Sequence, residues 1–216
     1  MLRLGLSFTV VCLCAVSCAA WAAEPQDLLA EWKLDEGAGD VARDSSGNGR
    51  DAKVFGASWV KQGDGFALSL DGPGAYVECG ENQALGVTGP VTVEAWIKPM
   101  GEPRSDAHLL GVGMSGYAMT RYRDRLCWYV GHGKVLSWLG VKLRPGQWSH
   151  VAATFGNQQM SVWVNGQEAA SRKTDVKTYP LDGHFRMSSK ARPGTAKFSG
   201  VLDNVRVYNR VLARDE

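Results

Sequence analysis

Asp44-x-Ser46-x-Asn48-Gly49 is the stretch whose residue types and spacing best suit chemistry. Oxygen-bearing side chains at alternate positions, closed by a glycine, copy the first half of a calcium-wrapping loop. The second half departs from that pattern: the twelfth position, where such a loop supplies a bidentate Glu, is Phe55. A cation must therefore draw further oxygens from elsewhere. Val201, Asp203, Val205 and Val207 share one face by the two-residue period of a strand, which sets the Asp203 carboxylate among valines. A buried carboxylate needs a partner or a metal. Trp32, Leu34 and Glu36 share a face in the same way, placing Glu36 at its rim. The candidate metal ligands are thus Glu36, Asp44, Ser46, Asn48 and Asp203, with structural calcium as the expected ion. The other open reading makes Asp44 and Asn48 ordinary Asx turns, with Asp203 accepting hydrogen bonds from the backbone or Arg206.

A second concentration of chemistry runs from Tyr117 to Trp138. Its candidate ligand-binding residues are Tyr117, Arg121, Tyr122, Arg123, Trp128, His132 and Trp138, with Arg125 and Tyr129 between them. Aromatic faces stack on sugar rings or protein side chains, and arginine forks grip carboxylates or sulfates. The bland reading sends alternate aromatics into the core and leaves the arginines on a solvated strand face.

Catalytic signals are missing. His108, His132, His150 and His184 are scattered and form no metal-ligand motif. No Gly-x-Ser-x-Gly nucleophile context occurs. Gly111-x-Gly113-Met114-Ser115-Gly116 lacks the Lys and following helix of a phosphate loop. The chain reads as a recognition module rather than an enzyme.

Short runs of alternating apolar residues must position these groups. They recur between Gly, Asp, Asn and Pro, and no amphipathic helix of three turns interrupts them. The expected strands span 29–35, 52–55, 66–70, 75–79, 91–98, 107–113, 117–122, 125–131, 135–139, 148–155, 159–164, 167–171, 184–189 and 198–208. Strands this short divide into two packed antiparallel sheets, an all-β sandwich. Asn165-Gly166 between two of them predicts a type I′ hairpin. Trp32, Trp96, Trp148 and Trp163 lie inside strand patterns and are expected in the core.

The first 22 residues read as a secretory signal peptide. Arg3 precedes an apolar run from Leu4 to Ala15, too short to span a bilayer, and small residues follow with Ala20-Trp21-Ala22 as cleavage site. A secreted, periplasmic or cell-surface location is expected. Ala15-Val16-Ser17-Cys18 is a poor lipobox because Leu is missing three residues before Cys18. Nothing else in the chain is apolar enough to cross a membrane. Residues 23–216 suit one sandwich domain and are short for two. Formal net charge is +2 and falls to about +1 without Arg3, so neither nucleic acid nor an anionic membrane is favoured as partner. Three of the five cysteines lie in the leader, leaving Cys79 and Cys127 either bridged or as two buried thiols.

Several pieces in order carry a family resemblance. They are Trp32-Lys33-Leu34-Asp35-Glu36-Gly37, Asp44-Ser45-Ser46-Gly47-Asn48-Gly49, Leu70-Asp71-Gly72 with Tyr76-Val77, and the Val93–Pro99 strand. Trp148–Phe155, Val164-Asn165-Gly166 and Asp203–Tyr208 with Asn209-Arg210 continue the series. Together they resemble the LamG-like jellyroll modules, the laminin-G-like, concanavalin A-like lectin/glucanase domains. The resemblance implies a two-sheet antiparallel jelly-roll β-sandwich. It also implies paired first and last strands, which would gather Glu36, Asp44, Asn48 and Asp203. Laminarinase-type hydrolases of this fold carry Glu-x-Asp-x-x-Glu on one strand, and no strand here has that spacing. The implied function is secreted, non-catalytic recognition of a glycan or of a cell-surface protein.

Overall fold

The computed structural model describes residues 27–81, 85–86, 88–101, 106–113, 116–132, 135–177, 184–188, 196–214 and 216. The leader read over residues 1–22, including Cys18, lies outside the described residues. So does the side chain of His132.

Among the described residues seventeen strands, numbered β1 to β17 in chain order, make two sheets. One sheet runs β14 (Gln167–Lys173), β13 (Gln159–Val164), β12 (Ser149–Gly156), β7 (Val91–Pro99), β17 (Gly200–Tyr208), β5 (Gly65–Ser69) and β4 (Ser58–Gln62). β1 (Leu28–Trp32) joins it along β17, so the first and last strands do pair. The other runs β11 (Val135–Lys142), β10 (Arg125–His132), β9 (Tyr117–Tyr122), β8 (Ala107–Gly111), β15 (His184–Met187), β6 (Tyr76–Glu81), β3 (Ala52–Phe55) and β2 (Val41–Ala42). β16 (Ala196–Lys197) lies parallel beside β8. Every other pairing among the described residues is antiparallel, the sandwich that alternation and tight turns predict and the jelly roll that the family resemblance implies.

The fourteen expected strands all appear. The three that sequence reading missed are β2, β4 and β16. β2 and β16 are two residues long, and β4 is a partly exposed edge strand without a buried alternate face. Asn165 and Gly166 both take positive φ, 50° and 74°, as a type I′ turn requires.

The inner faces interdigitate around aromatic side chains. The Trp32 and Phe185 rings stack at 5.5 Å, and Tyr117 lies 5.9 Å from Trp128. Their polar tips are satisfied: Trp128 Nε1 donates to the Thr154 carbonyl across the sandwich, Tyr117 Oη to that of Leu85, and Trp32 Nε1 to that of Arg50. Each such ring contributes on the order of 2–3 kcal/mol by leaving water. Trp32 is in the core as expected. Trp96 is not: it is 42% exposed on the outer face of β7, while Trp148 and Trp163 are half-buried.

Candidate functional site

The Asp44 loop is a structural clasp. Asp44 Oδ1 accepts from the backbone N–H of Glu31 and of Ser46, and Oδ2 accepts from that of Arg50. Asp51 Oδ1 in turn accepts from Asp44 N–H. Asn48 Nδ2 donates to the carbonyls of Leu28 and Leu29 and to Ser46 Oγ, and Arg50 also donates to the Leu29 carbonyl. The loop thereby seals the free side of β1. Burial works against the Asp44 carboxylate, but the bonds from Ser46, Glu31 and Arg50 outweigh it and hold the group below the usual carboxylate range.

Glu36 and Asp203 do not complete a cation site with that loop. Glu36 Oε1 accepts from Arg43 N–H. Asp203 Oδ1 accepts from Asn204 Nδ2. Among the described residues no three His, Cys, Asp or Glu side chains converge as a metal would require. The structure does not gather Glu36, Asp44 and Asp203 at one point: the Asp44 carboxylate serves three backbone amides, and Glu36 and Asp203 each accept from a local donor. The physical cause lies partly in β17. A bulge between Asp203 and Arg206, with Asn204 at φ 48°, shifts the register by one residue. Val205 and Val207 point to the core together with Leu202, so Asp203 leaves the face that strict alternation assigned to it.

Asp203 faces Asp35, whose Oδ1 accepts from Phe66 N–H. Burial and the Asp35 charge push the Asp203 carboxyl up to about 6. A carboxyl raised above its unfolded value disfavours folding once ionised. Its contribution is best below pH 4, falls between about 4 and 6, and stays low above. Asp203→Asn is expected to stabilise the protein by about 1–2 kcal/mol at pH 7, allowing for solvent screening, and not at pH 4. Urea unfolding at both pH values measures this. A cation shared by Asp35 and Asp203 would reverse the sign, the variant losing a calcium-dependent rise in Tm.

Between Tyr117 and Trp138 the candidates separate by face. Tyr117 and Trp128 are 0% exposed and Arg121 is 1% exposed, so all three are corrected from ligand-binding to interior residues. Leu126, Trp128 and Val130 alternate inward on β10, which carries Tyr117, Met119 and Arg121 of β9 to the same side. Arg121 Nη2 reaches the Gly101 carbonyl at the sandwich end. Cys79 and Cys127 are free buried thiols. They lie on β6 and β10, four strands apart in one sheet, about 19 Å at normal strand spacing. A disulfide cannot cross that distance.

The opposite face of β9, β10 and β11 carries three cross-strand rows. Tyr122, Arg125 and Lys142 form one, Thr120, Cys127 and Gly140 the next, and Ala118, Tyr129 and Trp138 the third. The middle row is small, and the two large rings of the third lean onto it. A Cβ added at Gly140 would lie 3.3 Å from Trp138 Cζ3, 3.6 Å from Cys127 Sγ and 3.7 Å from Arg125 Cδ. The Tyr129 hydroxyl extends over Thr120 and Cys127 toward Asp106, and burial with the Asp106 charge pushes it up to about 12. The Tyr129 and Trp138 rings sit 6.4 Å apart with planes within 28° of each other. Together they make a two-ring platform, on which Trp138 is 50% exposed. Tyr122 is exposed at one edge beneath Arg123, whose guanidinium carbon lies 5.4 Å from the ring centre. Arg172 of the adjoining sheet donates from Nη1 to the Trp138 carbonyl, covering the free edge of β11. Sequence reasoning named Tyr122, Arg123 and Trp138. It missed Gly140 and Arg172, whose roles come from register and from the meeting of two sheet edges.

A buried polar network occupies the outer face of the other sheet. Glu94 accepts from His150 Nε2 at 3.2 Å, Arg206 Nη1 at 3.1 Å and Tyr208 Oη at 3.2 Å. Arg206 Nε also donates to Glu31 Oε1 at 2.7 Å. Burial raises the Glu94 carboxyl, and His150 and Arg206 overcome it to leave a net lowering. The exposed Trp96 ring lies 5.4 Å from that of His150.

Residues 71–216 match the family model described as the concanavalin A-like lectin/glucanases superfamily. The chain belongs to this superfamily. Solved structures of the same fold include the binding domain of Paraclostridial Mosquitocidal Protein 1, 14% identical with TM-score 0.75, covering 88% of this chain and 51% of that one. The binding domain of botulinum neurotoxin DC, solved with rat synaptotagmin II, is 13% identical with TM-score 0.71, covering 88% and 50%. This chain spans about half the length of both. Domain 4 of an extracellular arabinanase from Geobacillus stearothermophilus, solved with arabinotriose, is 19% identical with TM-score 0.69, covering 88% and 95%. A comparison with curated proteins finds no match.

Superfamily membership gives the two-sheet frame, and the chemistry sits in what each sheet shows outward. Glu94 is buried and held by three donors that favour its carboxylate form, which suits a structural hub. The Tyr129–Trp138 face instead offers aromatic area in water with cations around it. No helix among the described residues is long and apolar enough to cross a membrane.

Proposed function

We propose that this protein is a non-catalytic recognition module that binds glycans on the Tyr129–Trp138 platform. The observation carrying this reading is the pair of near-parallel rings, with the Trp138 indole edge over Gly140 and open to solvent. Flat aromatic surface is what a sugar ring stacks upon. The arabinotriose-bound arabinanase domain, matched over nearly its whole length, supports the same ligand class. A secreted or cell-surface location, read from the leader, fits such a role. No resident cation is needed by the platform.

The test is affinity electrophoresis of the full chain through arabinan and other plant and microbial polysaccharides. Trp138→Ala is expected to lower retention at least about tenfold without changing Tm, since the indole projects from an edge strand. Unchanged retention would remove the site. A second reading, a protein-docking domain, draws on the synaptotagmin-bound neighbour and on the exposed Trp96 and Met100 of the opposite sheet. Binding of a surface protein abolished by Trp96→Ala but not by Trp138→Ala would favour it.

A further inference from the structure

We propose that the platform selects acidic glycans, its ligand carrying carboxylate or sulfate groups gripped by Arg125 and Arg172 while a sugar ring stacks on Trp138. This inference rests on the platform being a glycan site. Its evidence is the placement and pairing of charge around the rings.

Arg125 stands two rows from Trp138 on the same face, but its Cδ lies 3.7 Å from the Cβ position at Gly140 in the row between, which the indole edge also approaches. Arg172 meets Trp138 from the other sheet with one N–H on the Trp138 carbonyl at 3.1 Å. A guanidinium has five N–H donors in a fixed fork, so four remain for a ligand. Both side chains are exposed, and neither has an ion pair with another described residue. Their neighbours show what pairing looks like in this region: Lys142 is bound to Asp124 at 3.4 Å. Asp106 is paired with the Tyr129 hydroxyl, on the side away from β11. Arg123 adds a third cation at the Tyr122 edge. An apolar or neutral ligand would leave this cationic rim unused. An oxyanion reached by either fork would gain charge-assisted, bidentate hydrogen bonds. Nucleic acid is disfavoured, because the basic area is one corner of a chain with net charge +2 rather than a long stripe.

The experiment measures full-chain binding to three polymers: polygalacturonate, with carboxylates only; dextran sulfate, with sulfates only; and arabinan, which is neutral. At least one acidic polymer is expected to bind about tenfold tighter than arabinan at low salt, with the advantage shrinking as sodium chloride rises. The Arg125→Gln/Arg172→Gln double variant should lose that advantage while holding arabinan within about twofold. Trp138→Ala should weaken every polymer. Which acidic polymer responds identifies carboxylate or sulfate as the anchor. Equal, salt-insensitive binding of all three that still depends on Trp138 would overturn acid selection and leave the glycan platform standing. Binding indifferent to Trp138 would overturn the platform itself.

Discussion

Glu94→Ala is expected to cost about 3–5 kcal/mol, the largest single effect outside the apolar core. The carboxylate joins four strands: its own β7, β12 through His150, β17 through Arg206 and Tyr208, and β1 through Arg206 to Glu31. Removing it leaves the Arg206 guanidinium half-buried with one acidic partner, and strands His150 and Tyr208. The penalty comes mainly from those uncompensated groups rather than from the net worth of the pairs. Glu94→Leu combined with Arg206→Met should therefore be less damaging than Glu94→Ala alone. Urea midpoints of the single and double variants give the coupling directly. If the double variant loses as much as the sum of the singles, the network is not a unit. The carboxyl is held below its unfolded value, so its stabilisation is present above about pH 4 and disappears as pH falls through the folded-state pKa.

Asp44→Ala is expected to cost about 3 kcal/mol, because three amides lose a charged acceptor together. Two of those amides belong to the turn after Asp44, and the third belongs to β1. The damage should concentrate in β1, seen as faster hydrogen exchange at Glu31 before global unfolding. Asp44→Asn keeps Oδ1 for Glu31 and Ser46 but turns an NH₂ toward the Arg50 amide, so about half the loss is expected. Since the wild-type carboxyl is lowered, its contribution exists above about pH 4 and is lost on acidification through the folded-state pKa. The variants should show a shallower acid limb. A loss below about 1 kcal/mol in Asp44→Ala would mean that water replaces the carboxylate and the clasp is dispensable.

Most of the strand plan was legible from composition and period. Alternation marks β7, β10, β12 and β17 because each has one buried face, and Asn165-Gly166 marks its hairpin because few residue pairs accept two positive φ angles. The clue that Trp128 is interior was also present: Leu126, Trp128 and Val130 are the apolar set of β10, whereas Arg125, Cys127 and Tyr129 are its mixed one. What alternation cannot carry is a change of phase. The bulge after Asp203 moves that side chain off the valine face, and no residue type announces it.

The candidate site divides along the same line. Sequence alone determined the superfamily, the two-sheet architecture, the aromatic and arginine content of the 117–138 stretch, and the importance of Asp44. The superfamily follows from the resemblance of short motifs in order and the rest from local periods and residue chemistry, all of which travel with the chain. Only the tertiary structure decided that Asp44 serves the amides of Glu31, Ser46 and Arg50, that Tyr117, Arg121 and Trp128 face inward, and that Cys79 and Cys127 cannot meet. It also decided that Trp138 packs over Gly140 and that Arg172 arrives from the other sheet. These depend on register and on which sheet edges adjoin, properties set by long-range pairing and core burial rather than by any neighbouring residue.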